Sequence, residues 1–166
     1  MKLAKFRDIV DVNNLAELHE HLLSRDRGFY GSFWLWHDSG TELAVMINGD
    51  DSYVLFISSD RAAQHSTLDL MTNPNVPRTY IGSEGPSLYS SHSEDAENPD
   101  EEVDFLADNY EPTPMSKRYT VPLSQALIVM EEFFISGERS TNIRWYELSA
   151  GRLPQPPPKP WWQFWK

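Results

Sequence analysis

The stretch FYGSFWLWHDSGTELAVMINGDDSYVLFIS, residues 29–58, decides the fold. Phe29 to Trp36 is rich in aromatic residues, which sit well on a pleated, half-buried surface. Asp38-Ser39-Gly40 has the chemistry of a turn. Leu43, Val45 and Ile47 then alternate, with the period of a strand that buries one face. In Asn48-Gly49-Asp50-Asp51 the Asn-Gly pair is the best short hairpin signal in the chain, and Tyr53 to Ile57 reads as the returning strand. Three strands joined by two tight turns predict an antiparallel meander.

Upstream, residues 12–27 predict a helix. Asn14 and Glu17 have the spacing of a capping box, in which each side chain accepts the other residue's backbone N–H. Leu15, Leu18, Leu22 and Leu23 fall on one helical face, and Gly28 is a stop. Downstream, Pro74 and Pro77 forbid a long element in 59–77, and 78–81 reads as a short strand. Arg118 to Val121 also reads as a strand. Pro122 then opens a helix to Ser136, because its missing N–H has no partner to lose in a first turn. Leu123, Ala126, Leu127, Met130, Phe133 and Phe134 trace its apolar face, and Gly137 caps it. Residues 142–148 alternate around Ile143 and Trp145 and predict a last strand.

These elements predict one α+β domain over residues 1–150, an antiparallel sheet packed against two main helices, followed by a Pro- and Trp-rich tail, 151–166. The expected core holds Leu18, Leu22, Val45, Ile47, Leu55, Leu127, Met130, Phe134 and Trp145. At 166 residues, with 40% hydrophobic and 13% aromatic content, such a core needs no metal or disulfide. The absence of cysteine excludes a disulfide framework, a thiolate zinc site and a Cys nucleophile. Met1 to Asp8 carries charge with no apolar segment behind it, so a signal peptide is not expected. No apolar run approaches the roughly 20 residues of a membrane span. The cytosol is the expected location.

Charge is the most informative bulk property. The net charge of −11 disfavours binding to nucleic acid or an anionic membrane and favours a protein that is monomeric when free, or one with a basic partner. No Lys or Arg lies between Arg78 and Lys117, while nine acids lie between Glu94 and Glu111. Residues 82–116 therefore read as a long, solvated, partly mobile loop, with Val103, Phe105, Leu106 and Tyr110 pinning its second half. As a docking surface, that segment offers Glu94, Asp95, Glu97, Asp100, Glu101, Glu102 and Asp104 to a basic partner. The tail has two readings: packing on its own domain, or anchoring in a partner through its tryptophans.

Catalytic chemistry finds no foothold. His19 and His21 are two apart on the first helix, so they cannot share a metal. His37-Asp38 has the composition of half an acid–base pair, but also that of a turn after Trp36. His65 and His92 lie outside any motif. Asp50-Asp51 lacks calcium-loop spacing, and neither a phosphate loop nor a Gly-x-Ser-x-Gly elbow is present. Neither catalytic residues nor a metal or cofactor site are expected. An enzyme with an unrecognised carboxylate or His site, and an acidic scaffold or regulatory module, stand as alternatives to a dedicated inhibitor.

The blocks Val121-Pro122-Leu123-Ser124-Gln125-Ala126-Leu127, Phe133-Phe134-Ile135-Ser136-Gly137-Glu138-Arg139-Ser140 and Ile143-Arg144-Trp145-Tyr146-Glu147-Leu148 form a pattern. It resembles the first of the numbered Imm immunity protein families of bacterial polymorphic toxin systems, which end in a Val-Pro-Leu-led helix, a Gly-Glu-Arg-Pro-like turn and a Trp-bearing strand. Phe33 to Trp36 with the Asn48-Gly49-Asp50 hairpin is similar to that family's first sheet, so the resemblance covers roughly 29–58 and 118–148. The family's Pro is Ser140 here, and the tail after Leu148 has no counterpart. The resemblance implies a cytosolic inhibitor of a cognate toxin, often a nucleobase deaminase. Such an enzyme holds a nucleotide strand in a positive cleft, which an acidic protein would plug. Pro122, Gly137, Glu138, Arg139 and Trp145 are expected to be structural, with Trp145 packing under Gly137.

Overall fold

A computed structural model of the chain describes residues 1–5, 8–23, 30–58, 88–106 and 112–148. The elements in chain order are β1 (Lys2–Lys5), β2 (Asp8–Asp11), α1 (Leu15–Leu23), β3 (Tyr30–Trp36), β4 (Glu42–Asn48), β5 (Asp51–Ile57), β6 (Leu88–His92), β7 (Glu102–Leu106) and β8 (Pro112–Ser116). A 3₁₀ turn at Lys117–Tyr119, β9 (Thr120–Pro122), α2 (Leu123–Ser136) and β10 (Arg144–Leu148) complete them. The expectations for 59–77, for the strand at 78–81, for Gly28, His65 and Tyr110 and for the tail lie outside the described residues.

The meander stands as expected. β3 pairs β4 with Phe33 opposite Val45 and Leu35 opposite Leu43, and β4 pairs β5 with Val45 opposite Val54. The turn between β4 and β5 has Gly49 and Asp50 at its centre, because Asn48 faces Asp51. Only Gly49 of these two has a positive φ, +61°, which matches a II′ turn and not the Asn-Gly I′ form. The sheet extends on both sides of the meander, in the order β10-β6-β5-β4-β3-β1-β2, with every pairing antiparallel. The β1–β2 hairpin was not anticipated. Its strands are four residues each, too short for periodicity to register, yet Leu3 is fully buried opposite Leu35.

The outer edge of β5 is shared. β9 pairs Asp51 to Tyr53 and β6 pairs Leu55 to Ile57. Val54 falls at the seam, where a lost ladder bond would strand a buried N–H. Ser91 supplies the splice: its hydroxyl accepts the Val54 N–H at 3.1 Å and donates to the Tyr119 carbonyl.

Both faces of the sheet are covered. One carries Phe33, Leu35, Leu43, Val45, Ile47, Val54 and Phe56, packed under α1 and α2 through Leu18, Leu22, Ala126, Val129, Met130 and Phe133. The other carries Met46, Tyr53 and Leu55, under a β7–β8 hairpin that contributes Phe105, Val103 and Met115. This explains why six consecutive residues of β4 are buried: a strand enclosed on both faces loses its polar alternation. Leu18, Leu22, Val45, Ile47 and Met130 are core as expected, while Leu127, Phe134 and Trp145 are half-buried at its margin. Leu55 belongs to the second cluster and not the helix-covered one, because it is one residue out of phase with Val54 and Phe56.

The helix ends follow local chemistry. Asn14 Oδ1 accepts the Glu17 N–H at 3.0 Å, half of the expected box, but the Glu17 carboxylate takes the N–H of Asn13 at 2.8 Å rather than that of Asn14. The Asn13 N–H, with the side-chain amides of Asn13 and Asn14, stabilises the ionised carboxylate and holds Glu17 below its ordinary value. α2 starts directly after Pro122, and its first N–H, from Leu123, goes to the Asp50 carbonyl at 2.9 Å. It ends at Gly137, whose φ of +69° places it in the left-handed region and whose N–H bonds the Phe133 carbonyl.

Candidate partner-binding surface

The acidic segment is the principal correction to the sequence reading. Over its described part it is not a mobile loop: residues 88–92, 102–106 and 112–116 are strands. β7 alternates, with Val103 and Phe105 turned to the sheet and Glu102 and Asp104 to solvent. Phe105 is fully buried, so the hairpin is part of the folded body. The connection 93–101 is also bonded down. The Ser93 N–H reaches the Arg118 carbonyl, the Lys117 N–H reaches that of Glu101, and the Arg118 N–H reaches that of Pro99. Asn98 adopts a left-handed φ of +54° in the turn that closes through the Glu101 N–H. The sequence reading missed this because four acids in β7 and just before it mask the alternation of only two apolar residues.

The chain lacks cations between residues 79 and 116, but the fold brings three from outside. Arg118 pairs Asp100, Arg144 pairs Glu94, and Lys117 Nζ lies 3.1 Å from Glu101. The bond to Glu101 raises the Lys117 ammonium above its ordinary range, with some loss to desolvation. Three of the seven candidate acids are thereby engaged within the molecule. Asp95, Glu97, Glu102 and Asp104 are exposed and form no ion pair among the described residues. They are the unneutralised charge of this face.

Beside this segment, and on the same face of the sheet, lies a ring cluster absent from the sequence reading. His92 on β6 stands opposite Arg144 on β10. Its ring lies 6.0 Å from Tyr119 and 6.2 Å from Tyr146, and the two tyrosines are 6.0 Å apart at 65°. Tyr119 also packs on the second cluster, and burial raises its phenol pKa. Only the spacing of Tyr146 one residue after Trp145, on the opposite face of a strand, could have marked it out.

Within the Gly-Glu-Arg turn, Gly137 and Arg139 make contacts to the rest of the fold. A Cβ on Gly137 would lie 2.4 Å from His37 Nδ1, and the Gly137 carbonyl accepts the Thr41 hydroxyl at 2.6 Å. His37 supplies the three atoms nearest to that position. Trp145 donates Nε1–H to the Ser140 carbonyl at 2.8 Å and meets Phe56 in a T-shaped contact. Ser140 Oγ accepts the Asn142 N–H at 3.0 Å, which gives the serine its own use where the related pattern has proline. Arg139 lays its guanidinium 3.8 Å over the Tyr89 ring, and Glu138 is exposed.

Two of the histidines, His37 and His19, have contacts within the fold. His37 Nδ1 accepts the Ser39 N–H at 3.1 Å, which makes the turn reading the right one for His37-Asp38. His19 Nε2 lies 2.7 Å from Glu131 and joins α1 to α2. Among the described residues no group of three His, Asp or Glu side chains has metal-binding geometry. No helix among them is long and apolar enough to cross a membrane.

A search of curated proteins returned no match. A family model described as Immunity protein Imm1 matches residues 26–147. The match runs continuously from the start of the meander, through the acidic hairpin, to β10. It stops short of the tail and begins after α1, so β1, β2 and α1 lie outside it. Immunity proteins have a cognate toxin as partner, and the chain belongs to the Imm1 immunity protein family.

Proposed function

We propose that the chain binds a cognate toxin that acts on nucleic acid, of the deaminase class, and occludes its active site in the cytosol of the producing cell. The observation that carries this is the acidic face at 94–104. An enzyme that grips a phosphate backbone needs a positive cleft. A folded surface with unneutralised carboxylates is a suitable complement to it. The role is binding without turnover.

The seven acids divide the work. Asp95, Glu97, Glu102 and Asp104 attract the partner at long range; Glu94, Asp100 and Glu101 fix the surface through their ion pairs. Exposed charges are worth about 0–1 kcal/mol each in a contact, so their joint effect falls on the association rate. The test uses the cognate toxin domain, carrying an inactivating substitution. Changing the four to Asn or Gln is expected to slow association about tenfold at low salt and to flatten its salt dependence, with dissociation nearly unchanged. Unchanged association and salt slope would show that the face only solubilises the protein.

A further inference from the structure

We infer that Tyr146, backed by Tyr119 and His92, is the packed anchor of the toxin interface, and that it receives a cationic side chain from the toxin's nucleic-acid-gripping cleft. This rests on the function proposed above and deepens it: the acids bring the partner in, and the rings hold it.

Three observations converge. Tyr146 is 40% exposed, one of three large apolar side chains so exposed among the described residues, and it sits on a strand with its ring supported from behind. A supported tyrosine presents a broad face with little rotamer freedom left to lose, the character of an interface hot spot. Second, the surroundings favour a cation. Arg144 and Arg118, the nearby guanidiniums, are neutralised by Glu94 and Asp100, and the remaining charge of this face comes from the four unpaired acids. A guanidinium or ammonium arriving there meets negative potential and a ring face together. Third, the chain already uses this geometry on the other face of the same two strands. Tyr89 on β6 carries Arg139 at 3.8 Å, whereas no cation of the described residues lies over Tyr146.

The other exposed apolar residues, Ile128 and Ile135, lie seven apart on α2, on the outer side of the helix layer. They serve as the control surface. The inactivated cognate toxin domain is titrated with wild-type chain, Tyr146→Ala, Tyr146→Phe, Tyr146→Leu and Ile135→Ala, with dissociation rates read at low and high salt and melting temperature recorded for each. Tyr146→Ala is expected to raise the dissociation rate about 30-fold or more, with association within twofold and melting little changed. Tyr146→Phe, which keeps the ring, should stay within about threefold of wild type. Tyr146→Leu, which keeps apolar area and loses the π face, should resemble Tyr146→Ala. Dissociation unchanged in Tyr146→Ala overturns the anchor, and so does a large effect from Ile135→Ala alone, which would move the interface to α2. A Tyr146→Ala chain that melts early yet binds normally also overturns it, since the ring would then serve only the fold. If the wild-type chain does not bind the toxin domain, the proposed function fails and the anchor with it; wild-type binding with insensitive Tyr146 variants removes the anchor alone.

Discussion

Gly137→Ala should be among the most damaging single-methyl additions in this protein. Two independent costs meet at the position. The backbone φ of +69° is left-handed, which costs a residue with a Cβ about 1 kcal/mol. The new methyl would also stand 2.4 Å from His37 Nδ1, 2.7 Å from Cε1 and 2.8 Å from Cγ, well inside ordinary carbon contact. The His37 ring cannot step aside freely. Nδ1 is bonded to the Ser39 N–H and hydroxyl, and the ring edge packs on Phe133. Losing one of those bonds and part of the ring contact adds about 2 kcal/mol, for a total near 3 kcal/mol. In urea at constant slope this moves the midpoint by roughly 1.5 M. His37→Ala removes the obstacle, so in that background Gly137→Ala should cost only the backbone part, about 1 kcal/mol. A double-mutant cycle thus predicts a coupling of about 2 kcal/mol. A coupling below about 0.5 kcal/mol would refute the steric account and leave backbone conformation as the sole reason for glycine.

Phe105→Ala should cost about 3–5 kcal/mol by urea denaturation, because the side chain is fully buried between hairpin and sheet; a cost under 1 kcal/mol would mean the acidic hairpin is an appendage. Asn14→Ala should cost about 1 kcal/mol through loss of the cap on α1, read from the same transition. Burial pushes the Tyr53 phenol up to about 12 from an ordinary value near 10, so its contribution is complete below pH 10 and is lost as pH rises from there through 12. Wild type should lose roughly 2–3 kcal/mol more than Tyr53→Phe over that interval, and parallel pH profiles would contradict this.

The meander, α2 and the last strand were legible because each carries a strong local signal: aromatic and β-branched runs, a helical apolar face ending in glycine, and a tight turn at Gly49. The second face of the sheet was not. Tyr53 and Leu55 look like the back of an amphipathic strand until something is known to cover them, and the cover is a hairpin whose inward face rests mainly on Phe105, Val103 and Met115. Charge count also misled. An acid run is solvated when isolated, but Lys117, Arg118 and Arg144 reach it only through pairings that bring β10 beside β6 and close the 93–101 connection onto 116–118. The ring cluster depends on that same strand order, so Tyr119, His92 and Tyr146, far apart in sequence, carried no common mark.

The most direct test of the central claim is inhibition of the active cognate toxin domain, assayed on the nucleic-acid substrate that the proposed function assigns to it while the chain is titrated in, with complex mass followed by light scattering. Activity should fall linearly to near zero at one chain per toxin domain, with a one-to-one complex throughout. A toxin that stays active inside a stable complex would contradict occlusion, and the absence of any complex would contradict the proposed function itself.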